Sequence, residues 1–284
     1  MRIVETIAET RKALDAERAE GRTVGFVPTM GYLHEGHASL IRRARAECDV
    51  VLVSIFVNPL QFGPNEDLDA YPRDLEADIA LCEREGVDLI FHPAAREMYP
   101  EPNPFTMTVG EIGSKLCGRA RPGHFDGVAT VVAKLWNIAG PCRSYFGEKD
   151  YQQLVILRRL ARAFDVPVEV VGCPIVREPD GLALSSRNVY LDGEQRRAAL
   201  VLSRALAEAA EAVTEGERDG GRLAATMAAR ISSEPLARLD YASCVHPETL
   251  DDLERIEGTA VLAVAAWVGK ARLIDNGTVT DTGR

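Results

Sequence analysis

Residues 24–41 of the chain read VGFVPTMGYLHEGHASLI, and this stretch decides the fold. Val24 to Val27 is a short apolar run, which is typical of a buried strand. We expect the strand to stop at Pro28, because proline has no N–H to give to a sheet ladder. From Ala38 onward, apolar residues recur at the spacing of a helix. The stretch therefore predicts a strand, a loop and a helix, in that order.

Two histidines, His34 and His37, lie where the predicted loop meets the predicted helix. The first turn of a helix carries unpaired backbone N–H groups and the positive end of the helix dipole, so it favours anions. Imidazoles three residues apart at such a place can face one ligand, and the combination suits a triphosphate. Two other interpretations stay open, namely a helix start that faces water and a fragment of a metal site.

The composition limits the class of protein. The chain has 284 residues, 46% of them hydrophobic and 27% charged, so one large or two modest globular domains are expected. The net charge of -10 argues against a general binder of nucleic acids or membrane surfaces. The cysteines form no C-x-x-C pair, and residues 1–20 lack the apolar core of a signal peptide. We therefore expect reduced thiols in a cytoplasmic protein.

Strand and helix patterns alternate along the chain as far as Phe91. Val50 to Val57 is a nearly continuous apolar run, which is typical of a strand covered on both faces of a parallel sheet. The alternation predicts an α/β fold with a doubly wound, Rossmann-like parallel sheet. Ligands of such sheets bind beyond the carboxyl ends of the strands. We therefore expect the two histidines and the segment from Asn58 to Gln61 to converge.

The pattern changes after Arg187. Glu194 to Glu215 is predicted as one long helix, and a further helix and strands follow it. Helices followed by strands are typical of a small α+β domain. We therefore predict a Rossmann-like domain at residues 1–187 and a smaller C-terminal domain at residues 188–284. Within the first domain, Phe105 to Val109 is predicted as an edge strand.

Two further segments contain groups suited to phosphate. Gly147-Glu148-Lys149-Asp150 lies at a predicted strand-to-helix turn, where a lysine opposes the helix dipole, and such local conflicts concentrate at functional sites. The alternative is a surface lysine paired with a neighbouring carboxylate. Leu184-Ser185-Ser186-Arg187 offers two hydroxyls and a guanidinium fork, although Ser-Ser-Arg is also common in ordinary loops.

Two glutamines, Gln61 and Gln153, offer neutral amides. A glutamine can donate to a carboxylate without neutralising it, which suits a substrate carboxylate that must remain a nucleophile. The alternative for each of them is an exposed polar side chain near a helix start.

An ordered set of motifs resembles the pantothenate synthetase family, whose members are pantoate–β-alanine ligases of the nucleotidylyltransferase superfamily. The set consists of PTMGxLHxGH at 28–37, VSIFVNPxQF at 53–62, YPR at 71–73, FGEKDxQQL at 146–154, VRxxDGLALSSRN at 176–188 and LIDN at 273–276. These motifs cover most of the chain, and the C-terminal domain is matched more loosely.

The resemblance implies an ATP-dependent condensation of (R)-pantoate with β-alanine to pantothenate. The pantoate carboxylate attacks the α-phosphorus of ATP and releases pyrophosphate, and β-alanine then displaces AMP from the pantoyl adenylate. The resemblance also implies Mg²⁺ on the substrate phosphates, with no protein ligand named. It further implies a C-terminal lid and a homodimer that takes small-molecule substrates and binds neither nucleic acid nor membrane.

The resemblance assigns roles to individual residues of this sequence. His34, His37 and Lys149 are the expected catalytic residues, and Gln61 and Gln153 are expected to bind pantoate. The expected ATP-binding residues are Met30, Gly31, Tyr32, Leu33, His34, Glu35, Gly36, His37, Gly147, Glu148, Lys149, Asp150, Val176, Leu184, Ser185, Ser186 and Arg187.

Two other functions stay open at the level of sequence. One is a different enzyme of the superfamily, which transfers a nucleotide to a phosphorylated alcohol and needs cationic contacts for the second phosphate. The other is a non-catalytic ATP-sensing module, which has no need of Gln61 or Gln153.

Overall fold

The computed structural model describes residues 1–63, 68–101 and 105–281 of the chain. The chain divides into two compact units. The first consists of residues 1–113, 121–148 and 153–174, and the second consists of residues 114–120, 149–152 and 175 onward. The predicted boundary after Arg187 falls inside the second unit, because residues 175–187 pack with the C-terminal residues.

The helices and strands follow the chain in a βα alternation and then in a run of helices before strands. The strands are β1 (Arg2–Val4), β2 (Val24–Thr29), β3 (Val50–Ile55), β4 (Leu89–Phe91), β5 (Cys142–Gly147), β6 (Val168–Cys173), β7 (Ala237–Val245), β8 (Thr259–Val268) and β9 (Ala271–Thr280). The helices are α1 (Ile7–Ala19), α2 (Glu35–Glu47), α3 (Leu75–Arg84), α4 (Ala95–Met98), α5 (Cys117–Ala120), α6 (His124–Ala139), α7 (Tyr151–Ala163), α8 (Gly193–Ala199), α9 (Val201–Thr214) and α10 (Gly220–Ser232).

The first unit is built on a parallel six-stranded sheet with the order β1-β4-β3-β2-β5-β6. The side chains of β3 alternate between two cores. Val50 and Leu52 pack with residues of α1 and α6, whereas Val51, Val53 and Ile55 pack with residues of α2. Each such fully buried aliphatic side chain contributes about 1.5–3 kcal/mol. The sheet is therefore covered on both faces, and the predicted doubly wound α/β fold is confirmed.

Strand β2 continues past Pro28 to Thr29, so the predicted end of the strand at Pro28 is wrong. On one side β2 pairs with β3 along its whole length, and on the other its pairing with β5 covers Gly25 and Phe26. The backbone polar groups of successive residues in a strand point to opposite neighbouring strands. Those of Pro28 and of Phe26 therefore both point towards β5. Proline is therefore tolerated there, because the pairing with β5 has already ended.

The edge strand predicted at Phe105 to Val109 is also wrong, because these residues form no strand. The N–H of Met107 donates to Oγ1 of Thr130 at 3.0 Å, and the N–H of Val109 donates to Oδ1 of Asp126 at 2.8 Å. Side chains of α6 thus accept the hydrogen bonds that a neighbouring strand would otherwise receive.

The second unit contains an antiparallel sheet with the order β7-β8-β9 and the helices α8, α9 and α10. The predicted α+β class of the C-terminal part is confirmed. The single helix predicted from Glu194 to Glu215 is instead two helices, α8 and α9, which meet at Leu200. No glycine or proline marks this break, and both helices bury residues in one core, so packing determines where the chain turns.

No helix in the described part of the chain combines the length and the apolar character that crossing a membrane requires.

Candidate active site

His34 and His37 lie at the start of α2, as their spacing predicts. His34 is the N-cap residue, and its Nδ1 accepts the N–H of Gly36 at 3.1 Å. The Nδ1 of His37 accepts the N–H of His34 at 3.2 Å, and the two ring centroids are 4.2 Å apart. The two imidazoles therefore cap the helix as a pair.

These hydrogen bonds determine the tautomer of both imidazoles. A ring nitrogen that accepts a hydrogen bond carries no proton, so in the neutral ring the proton lies on Nε2. We assign this tautomer from the hydrogen-bond network. The Nε2–H of His34 and that of His37 are then the side-chain N–H groups of this helix start.

Four backbone amides of the same segment donate to side chains within the first unit. The N–H of Tyr32 and that of Leu33 donate to Asp78 at 2.9 and 2.6 Å, and those of His34 and Gly36 donate to the imidazoles. The sequence suggests these amides as anion donors, whereas the structure uses them to hold the loop. The imidazoles are therefore the side chains that would bind a phosphate at this helix start.

The carboxylate of Glu35 is engaged by Arg42. The two side chains form two hydrogen bonds, the shorter of 2.6 Å, and this contact holds the pKa of Glu35 below its usual value. The expected contact between Glu35 and ATP would therefore be made by its backbone.

Gln61 ends a 3-10 turn, Pro59–Gln61, that follows β3. Its Oε1 accepts a hydrogen bond from Nδ2 of Asn58 at 3.1 Å, and its Nε2 donates to Sδ of Met30 at 3.1 Å. Asn58 is 1% exposed and also accepts the hydroxyl of Tyr99 at 2.9 Å. The amide of Gln61 is thus held in one orientation, and the structure brings Gln61 to the segment that contains the histidines, as the strand ends predict.

Gly147 ends β5, and a Cβ added there would meet nothing within 4 Å, so a ligand can approach its backbone closely. Gln153 is half-buried in α7. Its neighbour Gln152 is buried, and its amide binds the carbonyl of Lys115 at 2.8 Å and the N–H of Cys117 at 3.0 Å. Gln152 therefore holds the backbone of the second unit, and Gln153 remains the candidate for substrate.

Lys149 lies in the 3-10 turn Glu148–Asp150, directly before α7, as predicted. Its side chain is 18% exposed, and its Nζ is 3.8 Å from Oδ2 of the half-exposed Asp150. A mostly buried lysine side chain with such a long contact differs from the solvated surface pair of the alternative interpretation. Lys149 therefore remains a candidate for binding a ligand anion.

Asp275 and Asn276, in β9, hold two of the predicted ATP segments within the second unit. Nδ2 of Asn276 donates to the carbonyl of Lys149 at 2.9 Å. Asp275 is 3% exposed and accepts two hydrogen bonds from Arg177, at 2.7 and 2.8 Å. The main chain of Lys149 and the segment after β6 are therefore fixed to the same strand.

The segment after β6 folds back on itself, with an antiparallel bridge between Arg177 and Ala183. The N–H of Leu184 donates to the carbonyl of Val176 at 3.0 Å, so two expected ATP-binding residues lie side by side. Because this carbonyl is used inside the segment, a backbone contact of Val176 with adenine would use its N–H or the second lone pair of the oxygen.

Ser185 caps the 3-10 turn Ser186–Tyr190, where its hydroxyl accepts the N–H of Arg187 at 3.3 Å. The three residues Ser185, Ser186 and Arg187 are thus presented at the start of one turn. The sequence predicted them as a loop segment and did not indicate this cap.

Sequence reasoning missed three buried residues that position the candidates, namely Asn58, Asp78 and Asn276. Asn58 had a signal, since it directly follows a strand and precedes a proline, a common place for a cap. Asn276 had a signal only as a member of the LIDN motif, and Asp78 had none, because its partners lie far away in the sequence.

Comparison with known proteins assigns the family. A family model described as pantoate-beta-alanine ligase matches residues 2–278. The chain belongs to this family. It is 55% identical over 276 residues to the pantothenate synthetase of Thermotoga neapolitana, which covers 97% of this chain and 99% of that protein. The predicted family and the predicted enzyme class, a ligase, are confirmed.

Solved structures of the family agree with the fold. The crystal structure of pantothenate synthetase from Thermus thermophilus is 52% identical, with a TM-score of 0.93 over 98% of this chain and 99% of that one. The pantoate-beta-alanine ligase of Francisella tularensis, crystallised with beta-gamma ATP and beta-alanine, is 36% identical, with a TM-score of 0.79 over 98% of this chain and 97% of that one. The roles of individual residues in this chain stay predictions.

Proposed function

We propose that this chain condenses (R)-pantoate with β-alanine to pantothenate through a pantoyl adenylate, with release of AMP and pyrophosphate. The family supports the overall ATP-dependent reaction. One observation carries the proposal for this chain. The segment with the capped imidazole pair also contains Met30, which contacts the fixed amide of Gln61. Donors suited to a phosphate and to a carboxylate are thus built into one part of the first unit.

In the first step a carboxylate must gain a good leaving group, since it is otherwise a poor electrophile. The protein contributes alignment and charge stabilisation to this step, not a covalent intermediate. We assign the stabilisation of the developing phosphate charge to Nε2 of His34, Nε2 of His37 and Nζ of Lys149. The segment 147–150 binds ribose and phosphates in this proposal, Val176 binds adenine, and Leu184, Ser185, Ser186 and Arg187 close over the phosphates.

Gln61 and Gln153 bind pantoate in this proposal. One N–H of the Gln61 amide is directed at Met30, and the other is the donor that we assign to the pantoate carboxylate. In the second step the amine of β-alanine, whose pKa is near that of lysine at about 10, must be neutral to attack. We propose that it enters in the neutral form, with Gln61 helping to orient it.

ATP is proposed to bind as its magnesium complex, because Mg²⁺ favours substrate phosphates over an all-protein cage. In the parts of the chain that the structure covers, no three His, Cys, Asp or Glu side chains gather as a metal site. A lid role for residues 188–284, a homodimer and a cytoplasmic location are proposed from the resemblance. The cysteines support the location, since all six are free thiols.

A single assay tests the proposed function against its two alternatives. The purified chain is mixed with ATP, Mg²⁺, pantoate and β-alanine, and AMP is measured with each organic substrate left out in turn. We expect formation of AMP and pantothenate that depends on both. A product that retains the nucleotide would instead favour a nucleotide transferase, and ATP binding without AMP would favour a sensor.

The substitution Gly127→Ala is expected to lower the thermal stability and the rate of AMP formation together. A Cβ at Gly127 would clash with the carbonyl oxygen of Leu60 and would lie 2.7 Å from the nitrogen of Gln61, and these backbone atoms cannot rotate away. We expect a loss of roughly 3 kcal/mol and a fall in Tm of about 6–12 °C. Calorimetry and the AMP assay measure the two effects.

Gly277→Ala is the matched control, since a Cβ there would meet nothing within 4 Å. It should leave both the Tm and the rate close to those of the unaltered chain. An unchanged Tm for Gly127→Ala would contradict the close approach of α6 to the turn that carries Gln61.

A further inference from the structure

A buried carboxylate holds the loop that leads into α2. Asp78, in α3, is 2% exposed. Its Oδ2 accepts the N–H of Tyr32 at 2.9 Å and its Oδ1 accepts the N–H of Leu33 at 2.6 Å. These are the two residues directly before His34. One side chain thus fixes both peptide groups that bring the chain to the first imidazole.

The loop held in this way has a strained backbone. Gly31 has a φ of 83° and Tyr32 a φ of 51°, so two successive residues lie in the left-handed region. For tyrosine this region is unfavourable, and such residues persist where their surroundings determine the conformation. A Cβ at Gly31 would lie 2.9 Å from Oδ2 of Asp78 and 3.0 Å from Cγ2 of Ile55. The carboxylate therefore packs where a Cβ of residue 31 would lie, and it restricts the conformation of the loop.

An aspartate at this buried position indicates a functional role in addition to packing. Neutral backbone amides satisfy the carboxylate, and burial raises the pKa of Asp78 although both amides oppose that rise. A buried carboxylate is unfavourable, and local conflicts of this kind concentrate at functional sites. Both oxygens are needed as acceptors. An asparagine of the same shape would direct its NH₂ group at one of the two N–H groups.

We propose that Asp78 is a positioning residue for the imidazole pair and that it acts on adenylate formation through His34 and His37. This inference rests on the proposed function. By fixing Tyr32 and Leu33, the carboxylate determines where α2 begins, because the next residue is the N-cap. The N-cap in turn donates its N–H to His37. A shift of the loop therefore moves both Nε2 donors together.

The test is Asp78→Asn, assayed separately in the two half-reactions. Adenylate formation is measured as pantoate-dependent exchange of labelled pyrophosphate into ATP. The second step is measured with supplied pantoyl adenylate and β-alanine. We expect the kcat of the exchange to fall by about 10–10²-fold, the usual cost of a small misplacement of catalytic groups. The second step should lose less than the exchange does, because pyrophosphate has left the site before that step begins.

Two comparisons show whether Asp78 acts through the histidines. The double variant Asp78→Asn/His37→Ala should be no slower in the exchange than His37→Ala, because groups that act as one unit are not additive. Asp74→Asn is the matched control. It is the same substitution on the same helix, where Asp74 accepts the N–H of Ala77 at 3.0 Å as an N-cap, a role that asparagine also fills. Its exchange rate should be unchanged.

Several results would overturn the inference. They are an exchange rate near normal in Asp78→Asn, equal losses in both half-reactions, and losses that multiply with those of His37→Ala. Asp78→Ser, which places no NH₂ group against the amides, is the second variant and should show the same selective loss. If neither variant folds, the role of Asp78 is purely structural and the inference is wrong. Absence of exchange in the unaltered chain, or no effect of His37→Ala, would instead mean that the proposed function has failed.

Discussion

Lys149→Ala is expected to lower adenylate formation by about 10²–10³, the usual cost of one preorganised donor. The side chain of Lys149 is 18% exposed, and its Nζ lies 3.8 Å from the nearest oxygen of Asp150, a separation too long for a hydrogen bond. Its charge is therefore weakly compensated and suited to a phosphate. The effect is measured as the rate of pantoate-dependent exchange of labelled pyrophosphate into ATP.

The fold should survive this substitution. Asn276 binds the main-chain carbonyl of Lys149 and not its side chain, so alanine keeps that hydrogen bond. Lys270→Ala is the matched control, because Lys270 is an exposed lysine between β8 and β9. A normal Tm for Lys149→Ala, together with an exchange rate like that of Lys270→Ala, would show that Lys149 has no role in the reaction.

The alternation of strands and helices could be predicted because it depends on local patterns. The run from Val50 to Ile55 reveals a strand covered on both faces, and the structure distributes these residues between two cores. The failures depend on groups that lie elsewhere in the chain. Thr130 and Asp126 accept the N–H groups of Met107 and Val109, and nothing within residues 105–109 indicates it. The break at Leu200 likewise has no local signal.

The candidate site shows the same division. The position of His34 and His37 at the start of a helix follows from the local pattern. The approach of Gln61 to their segment follows from the sheet, because the histidines and Gln61 come after the ends of neighbouring strands. The groups that fix these side chains could not be found in this way. Asp78 lies 45 residues beyond Leu33, and Asn276 lies 127 residues beyond Lys149. A single sequence gives no information on such pairs, so it predicts the positions of the candidate groups better than it predicts what holds them.

His37→Ala is expected to lower the same exchange by about 10²–10³, because Nε2–H is a donor to the phosphate in the proposed first step. The alanine also removes the acceptor for the N–H of His34, so loss of the cap contributes to the effect. His246→Ala is the matched control for that contribution. The Nδ1 of His246 likewise accepts backbone N–H groups, those of Glu248 and Thr249, both at 3.2 Å. Its loss should leave the exchange rate unchanged.

Two further substitutions separate the cap from the donor. His37→Asn keeps an acceptor close to the position of Nδ1 and has no group at the position of Nε2. His37→Gln instead places an amide NH₂ group near the position of Nε2. If the Nε2 donor is what the reaction needs, the glutamine variant should recover part of the lost rate and the asparagine variant should recover its Tm but not its rate. Equal exchange rates in the two variants would contradict a role for Nε2 and would leave His37 as the second half of a helix cap.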